Sequence, residues 1–398
     1  MKSGLIGRCI EFVKKETVLS IALILAVVSS FVVLPDGEYV GYIDFRTLAI
    51  LFCLMAVMAG LQKMGVFGWV AGKLLQRVKG IRQLVLILVM LCFVFSMVIT
   101  NDVALITFVP FTFTVLKLME EARAKKPEGR EQAKNLAVPV VVMQTIAANL
   151  GSMLTPIGNP QNLYLYGKSG MGIGEFILLM LPYTLVSLVL LLIWCVCMGR
   201  GSTGELAGIS AGTAGGTGTE EAASKGPRKA LAAYLVLFLL CLLTVARVIP
   251  YGITLVVVIA VVCLMDRQVL ARVDYALLIT FVGFFVFIGN MGRIPVFRSF
   301  LENIISGHEV ITAVVSSQVI SNVPAALLLS GFTQDYCALV VGTNLGGLGT
   351  LIASMASLIS FKYIGKEDKD RKAAYLIYFT AANVIFLAVL LAFASYLR

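Results

Sequence analysis

The 398-residue chain is 59% hydrophobic and only 14% charged, against roughly 25% charged residues in soluble domains. That balance excludes a water-soluble enzyme, and a mean hydropathy of +0.94 demands long apolar runs, which recur along the whole length. The formal net charge of +10 sits between those runs, where it reports orientation across a bilayer rather than affinity for nucleic acid.

A membrane helix needs about 20 mostly apolar residues. By that rule about nine crossings are predicted, at residues 17–34, 45–61, 135–166, 176–197, 231–248, 253–265, 275–290, 336–363 and 374–396. The run at 17–34 has no small-residue cleavage site after it and reads as a crossing, not a signal peptide. Two further apolar stretches, 84–118 and 310–332, are interrupted by polar clusters, Thr100-Asn101-Asp102 and Ser321-Asn322. Both read as re-entrant hairpins.

Loop charges support this. With the N terminus (Lys2, Arg8, Lys14, Lys15) in the cytoplasm, the first loop carries Asp36, Glu38 and Asp44, and the second carries Lys63, Lys73, Arg77, Lys79 and Arg82. The stretch at 84–118 is then followed by Arg123, Lys125, Lys126, Arg130 and Lys134. Both of its ends are basic and belong on one side, as a hairpin requires. The same rule places Arg267, Arg272 and residues 362–372 inside and the C terminus outside.

The segment at 199–229, rich in Gly, Ala, Ser and Thr, reads as a flexible cytoplasmic linker. It divides a first membrane repeat (1–198) from a connecting transmembrane helix (230–250) and a second repeat (251–398). The repeat is visible in residues. Ser96 to Asn101 (SMVITN) matches Ser317 to Asn322 (SQVISN) at an offset of 322 − 101 = 221, and Asn149-Leu150-Gly151 with Thr155 matches Asn344-Leu345-Gly346 with Thr350 at 344 − 149 = 195. Residues 44–67 match 274–297 at 274 − 44 = 230. One unpaired helix between the copies inverts the second. The predicted fold is an all-α integral membrane protein with the inverted-repeat architecture of a secondary transporter, whose site lies where the copies meet near the midplane.

Two segments cannot be regular helix at membrane depth, and such backbone survives only inside protein or beside a wet cavity. One runs from Gly151 through Thr155, Pro156, Gly158, Asn159 and Pro160 to Asn162, with proline removing donors and clashing with the preceding turn. The other comprises Thr343, Asn344, Gly346, Gly347, Gly349 and Thr350. Freed carbonyls suit a small cation and exposed helix N-termini suit an anion. The candidate site is therefore Thr100, Asn101, Asp102, Asn149, Gly151, Thr155, Gly158 and Asn159 from the first copy, and Ser321, Asn322, Thr343, Asn344, Gly346, Gly347 and Thr350 from the second.

Thr, Asn, Asp and Ser at a hairpin tip also serve as helix caps. Asp102 goes further, because an ionised carboxylate there costs roughly 2.5–3.5 kcal/mol to insert, and its repeat mate is apolar Val323. Gln144, Gln318, Asn290 and Asn383 read as interhelical hydrogen-bond glue, and Arg293 and Arg298 as side chains reaching to the outer interface. The eight cysteines and the single histidine, His308, have no metal-type spacing.

Thr100-Asn-Asp-Val-Ala-Leu105, Asn149-Leu-Gly151 running to Thr155-Pro-Ile-Gly-Asn-Pro-Gln-Asn162, and Ser321-Asn-Val-Pro-Ala325 together resemble the ion transporter superfamily. The likeness is to its citrate-transporter-like and arsenite-permease-like branches, which include divalent anion:sodium symporters, arsenite permeases and some sodium/proton antiporters. In the symporters, paired Ser-Asn-Thr tips hold substrate carboxylates, with sodium between the tips and the broken helices. This chain has Thr-Asn-Asp and Ser-Asn-Val instead.

The resemblance implies sodium near Asn101, Asp102 and Gly151 and near Asn322, Asn344 and Gly346, with no other cofactor. The expected activity is cation- or proton-coupled transport of a small carboxylate or inorganic oxyanion across the cytoplasmic membrane. Arsenite or antimonite efflux and sodium/proton exchange are the alternatives within transport, and a non-transporting scaffold is the alternative outside it. The expected partners are the anionic substrate, the lipid bilayer and a second copy of the chain.

Overall fold

A computed structural model describes residues 13, 16–76, 78, 80–122, 127–198 and 228–397. The linker at 199–227, the N-terminal basic residues Lys2, Arg8, Lys14 and Lys15, and Arg77, Lys79, Arg123, Lys125 and Lys126 lie outside them. Every regular element among the described residues is a helix.

α1 (Thr17–Val32) precedes a first set of seven helices: α2 (Phe45–Lys63), α3 (Val66–Leu75), α4 (Ile81–Phe95), α5 (Asn101–Ala122), α6 (Pro127–Ser152), α7 (Pro160–Ser169) and α8 (Ile173–Met198). α9 (Arg228–Val245) and α10 (Tyr251–Asp266) follow. A second set then repeats the order: α11 (Tyr275–Gly292), α12 (Pro295–Ile305), α13 (Glu309–Ile320), α14 (Asn322–Leu329), α15 (Tyr336–Leu345), α16 (Met355–Glu367) and α17 (Lys372–Leu397). α9 starts at Arg228, so the last two residues assigned to the linker are helical.

Local sequence sets these boundaries. Asp44 and Asp274, 230 residues apart, cap α2 and α11 by accepting from Thr47 N at 3.0 Å and Leu277 N at 2.9 Å. Pro160 and Pro295 open α7 and α12 at positions where a missing N–H costs nothing. Gly170 ends α7 in the left-handed conformation.

Among the described residues, eight helices are long and apolar enough to cross a membrane, where the sequence predicts about nine crossings. The runs at 135–166 and 336–363 are each split into two helices, α1 is shorter than a full span, and the hairpin arm Asn101–Glu120 is itself span-length.

Long helices turn apolar side chains outward, among them Phe31, Leu178, Val236, Leu264 and Ile377, while amides and hydroxyls such as Asn149, Gln161 and Thr343 are buried. Without a hydrophobic drive between helices in lipid, close packing and hydrogen bonds hold them together. Gly283 of α11 packs against the Ala22 backbone of α1, and Tyr234 of α9 lies where a side chain on Gly60 of α2 would be.

The two sets interlock. α1 packs on α11 of the second set, while α9 and α10 pack on α2 of the first. Ion pairs at the helix ends follow the same exchange. Lys63 pairs with Asp266 and Arg293 pairs with Asp36 at 2.6 Å, and both bases and both acids are 230 residues apart. Arg293, expected to reach to the outer interface, is thus paired, with Tyr42 accepting a further bond at 3.1 Å. Its guanidinium holds the Asp36 carboxyl below the ordinary carboxylate value. Arg298 bonds Glu302 one turn along α12.

Candidate functional site

Each hairpin tip is pinned against a helix break. In the first set α4 and α5 meet at residues 96–100, and the Asn101 amide donates to the Gly158 carbonyl at 3.1 Å. In the second, α13 and α14 meet at Ser321, and the Asn322 amide donates to the Ala353 carbonyl at 2.9 Å. Gly158 and Ala353 lie in the unwound stretches between α6 and α7 and between α15 and α16. Each tip is thus bonded to the middle of a broken pair of helices.

A second matched pair of bonds anchors the other end of each break. Thr155 Oγ1 donates to the Met97 carbonyl at 2.5 Å, and Thr350 Oγ1 donates to the Gln318 carbonyl at 3.1 Å. The two glycines that the offsets pair make these contacts feasible. A side chain on Gly151 would run into the Phe93 carbonyl and the Ser96 hydroxyl, and one on Gly346 into the Ser317 side chain. The Asn-Leu-Gly motif is therefore needed for helix approach, whatever binds nearby.

Asn149 is the junction of the two sets. Its Oδ1 accepts from Asn101 Nδ2 and from Ser354 Oγ, both at 3.0 Å, and its Nδ2 donates to the Gly347 carbonyl at 3.3 Å. Asn344, its mate, donates to Asn162 Oδ1 and to the Val340 carbonyl, each at 2.7 Å. Asn159 Nδ2 donates to Ser152 Oγ at 2.6 Å. The amides of one half thus close on the backbone and amides of the other.

Three buried polar groups here have atoms without a protein partner: Asp102 Oδ1, Asn344 Oδ1, and both amide atoms of Gln161. Asp102 lies at the start of α5, where its backbone amide donates to Asn101 Oδ1 at 2.9 Å. Ser321 holds φ 74° and ψ 154°, a region nearly exclusive to glycine and costing roughly 1–3 kcal/mol. Such strain at a tip facing a break is the kind that functional sites retain.

Most of the sequence-selected residues converge on this region. Thr343 stands apart, with its hydroxyl turned back to the Leu339 carbonyl of its own helix, and Thr100 contributes its carbonyl to the first turn of α5. Gln144 and Asn290 are interhelical glue as expected, bonding Thr112 and Leu88 O, and Ser29. Gln318 and Asn383 do more than that. Gln318 holds the second break through Gly346 O, Leu348 O and Thr350 N, and Asn383 Oδ1 accepts from Gly349 N at 3.4 Å. Sequence reasoning also passed over Ser152, Gln161 and Ser354; only their register beside the paired motifs marks them.

Tips, breaks and cross-bonded amides at the meeting of two helical sets define a polytopic membrane transporter rather than an enzyme. The chain belongs to the citrate transporter family, whose model matches residues 10–336. It is 32% identical over 339 residues to the inner membrane protein YbiR of Escherichia coli, covering 84% of each chain. It is 29% identical to the transporter MJ0456 of Methanocaldococcus jannaschii, covering 90% of this chain and 91% of that one. A shorter likeness, 31% over 168 residues, is to the silicon efflux transporter LSI3 of rice, covering 42% of this chain and 31% of that protein.

Proposed function

We propose that the chain is a secondary transporter of the cytoplasmic membrane that moves a small carboxylate or inorganic oxyanion by alternating access, driven by sodium or protons. The observation that carries this reading is the pair of buried oxygens without a partner, Asp102 Oδ1 in the first set and Asn344 Oδ1 in the second. A buried oxygen left unpaired costs about 1–3 kcal/mol, and a bound cation removes that cost. The N-termini of α5, α7, α14 and α16 offer their partial positive charge to an anion. A cation that binds one access state better than the other couples its gradient to that anion. The N terminus lies in the cytoplasm and the C terminus outside in this reading.

Export of a hydroxylated metalloid acid is the second reading. It draws on the carboxylate at Asp102, where the second tip has Val323, and on the likeness to the rice silicon exporter.

Uptake of labelled citrate, succinate, sulfate and arsenite into proteoliposomes, with and without sodium or pH gradients, tests both. Gradient-dependent accumulation of a carboxylate or sulfate supports the first reading, and arsenite movement alone supports the second. No movement of any of the four would sink both.

A further inference from the structure

The seams between the two sets are chemically unequal. On one, α16 packs against α5 and α6 and presents Ser354, Ser357 and Ser360 at three-residue spacing, all almost wholly buried. Ser354 bonds Asn149 of the central junction. Ser360 accepts from Thr145, one turn before Asn149 on α6, at 2.7 Å. Between them the Ser357 hydroxyl has no partner.

One turn beyond Ser360, Ile364 and Glu367 of α16 line a cavity of about 140 Å³ together with Phe113 and Lys117 of α5 and Ala137 of α6. Across its mouth Lys117 Nζ meets Glu367 Oε2 at 2.6 Å, joining the first hairpin to the second broken helix.

On the other seam α7 packs against α14 and α15. At the offset of 195, Ser360 and Thr145 correspond to Leu165 and Val340, both fully buried. The contrast is confined to this position: at the same offset Ser354 and Ser357 correspond to Asn159 and Asn162, and Tyr164 of α7 bonds Ser330 at the end of α14 at 2.8 Å.

A dry hydroxyl with no partner is costly, and a water bridging two or more polar groups removes the cost. We infer that the seam between α6 and α16 is a hydrated route for a small cation between solvent and the central junction, with the Lys117–Glu367 pair at its mouth. The inner lining offers oxygen lone pairs from Thr145, Ser354, Ser357, Ser360 and Asn149, and at the mouth Lys117 and Arg371 stand beside Glu120, Glu367 and Asp368. The assignment of that cation as the coupling ion rests on the transport reading above; the route itself does not.

The test uses the full chain in proteoliposomes with Ser357→Cys, and Ser360→Cys as a second reporter should the first fail to fold. A positively charged thiosulfonate is added and modification at that residue is read by mass spectrometry. The reporter cysteine is expected to be modified, faster by the cationic reagent than by an anionic one, while Leu165→Cys, buried at the corresponding position of the opposite seam, stays largely unmodified. Lys117→Met or Glu367→Gln added to the reporter should raise its rate roughly fivefold, the upper worth of an exposed ion pair. No modification at either reporter with the mouth pair intact or removed, equal rates for the two reagents, or equal modification of Leu165→Cys would each overturn the route. Modification without any gradient-driven uptake would retain the route and overturn the transport reading; uptake with both reporters silent would overturn the route alone.

Discussion

At the first tip Asn101 opens a 22-residue helix with Asp102 behind it, whereas at the second Asn322 opens an eight-residue helix with Val323 behind it and Ser321 held at φ 74°. The backbone solution is shared: an asparagine amide on a carbonyl of the opposing break, a threonine hydroxyl on a hairpin carbonyl, and a glycine where the hairpin's incoming helix presses in. What differs is side-chain chemistry. The first tip offers a carboxylate and the second a strained serine. The comparison separates what two copies need in order to fold from what one copy alone can contribute to coupling.

The largest effect is expected from removing the asparagines that both tips share. Asn101→Ala and Asn322→Ala should each lower transport roughly a hundredfold, the scale on which misplacing a positioned group acts, while the protein remains folded in detergent. Near-normal uptake by both variants would place the substrate elsewhere. Asp102→Asn breaks the comparison at its sharpest point, because it keeps the shape and capping ability but deletes the charge. It should remove the dependence of flux on the imposed gradient and leave at most slow exchange; an unaltered response to sodium and pH would end the coupling role of Asp102.

Glycine substitutions sharpen the packing side. Gly151→Ala should cost about 2–3 kcal/mol of stability, read by thermal unfolding, and Ser96→Gly should not rescue it, because the Phe93 backbone carbonyl still blocks the new methyl group. Gly346→Ala should be eased by Ser317→Gly, because there the obstruction is largely a side chain. Equal rescue at both positions would contradict the geometry. Ser321→Gly should stabilise the protein by about 1 kcal/mol through relief of φ strain, since the bonds lost from its hydroxyl are long, at 3.4 and 3.5 Å. Thr100→Gly should destabilise by roughly 0.5–1 kcal/mol, because Thr100 is not among the described residues with positive φ.

The smallest effect belongs to the Asp36–Arg293 tie at the surface. The folded carboxyl sits below its ordinary value because Arg293 bonds it. Its contribution is therefore present above the ordinary carboxylate value and is lost as pH falls through the folded one. Unfolding temperature measured against pH should show this acid step in the wild type and not in Asp36→Asn.

Much of the architecture was legible in one dimension. Apolar runs of span length, the Gly and Pro breaks, and the offsets of 221, 195 and 230 are all local patterns, and local patterns determine where helices start and stop. Asn101, Asn149, Asn322 and Asn344 stood out because the same short motif occurs twice. Gln318 and Asn383 do bond between segments as expected, but nothing near them in sequence shows that they face Gly346 and Gly349.

The sequence by itself determined a polytopic helical membrane protein with two related halves, because hydrophobic run length and motif recurrence depend only on near neighbours along the chain. Only the tertiary structure decided that α1 serves the second half and α10 the first, that Asp36 meets Arg293, and that Ser354 and Ser360 bond Asn149 and Thr145 while Leu165 and Val340 are buried at the positions corresponding to Ser360 and Thr145. These are pairings between residues on the order of 200 positions apart. They depend on how helices cross and which face each turns inward, and in lipid that is decided by close packing and buried hydrogen bonds rather than by a hydrophobic stripe the sequence would display.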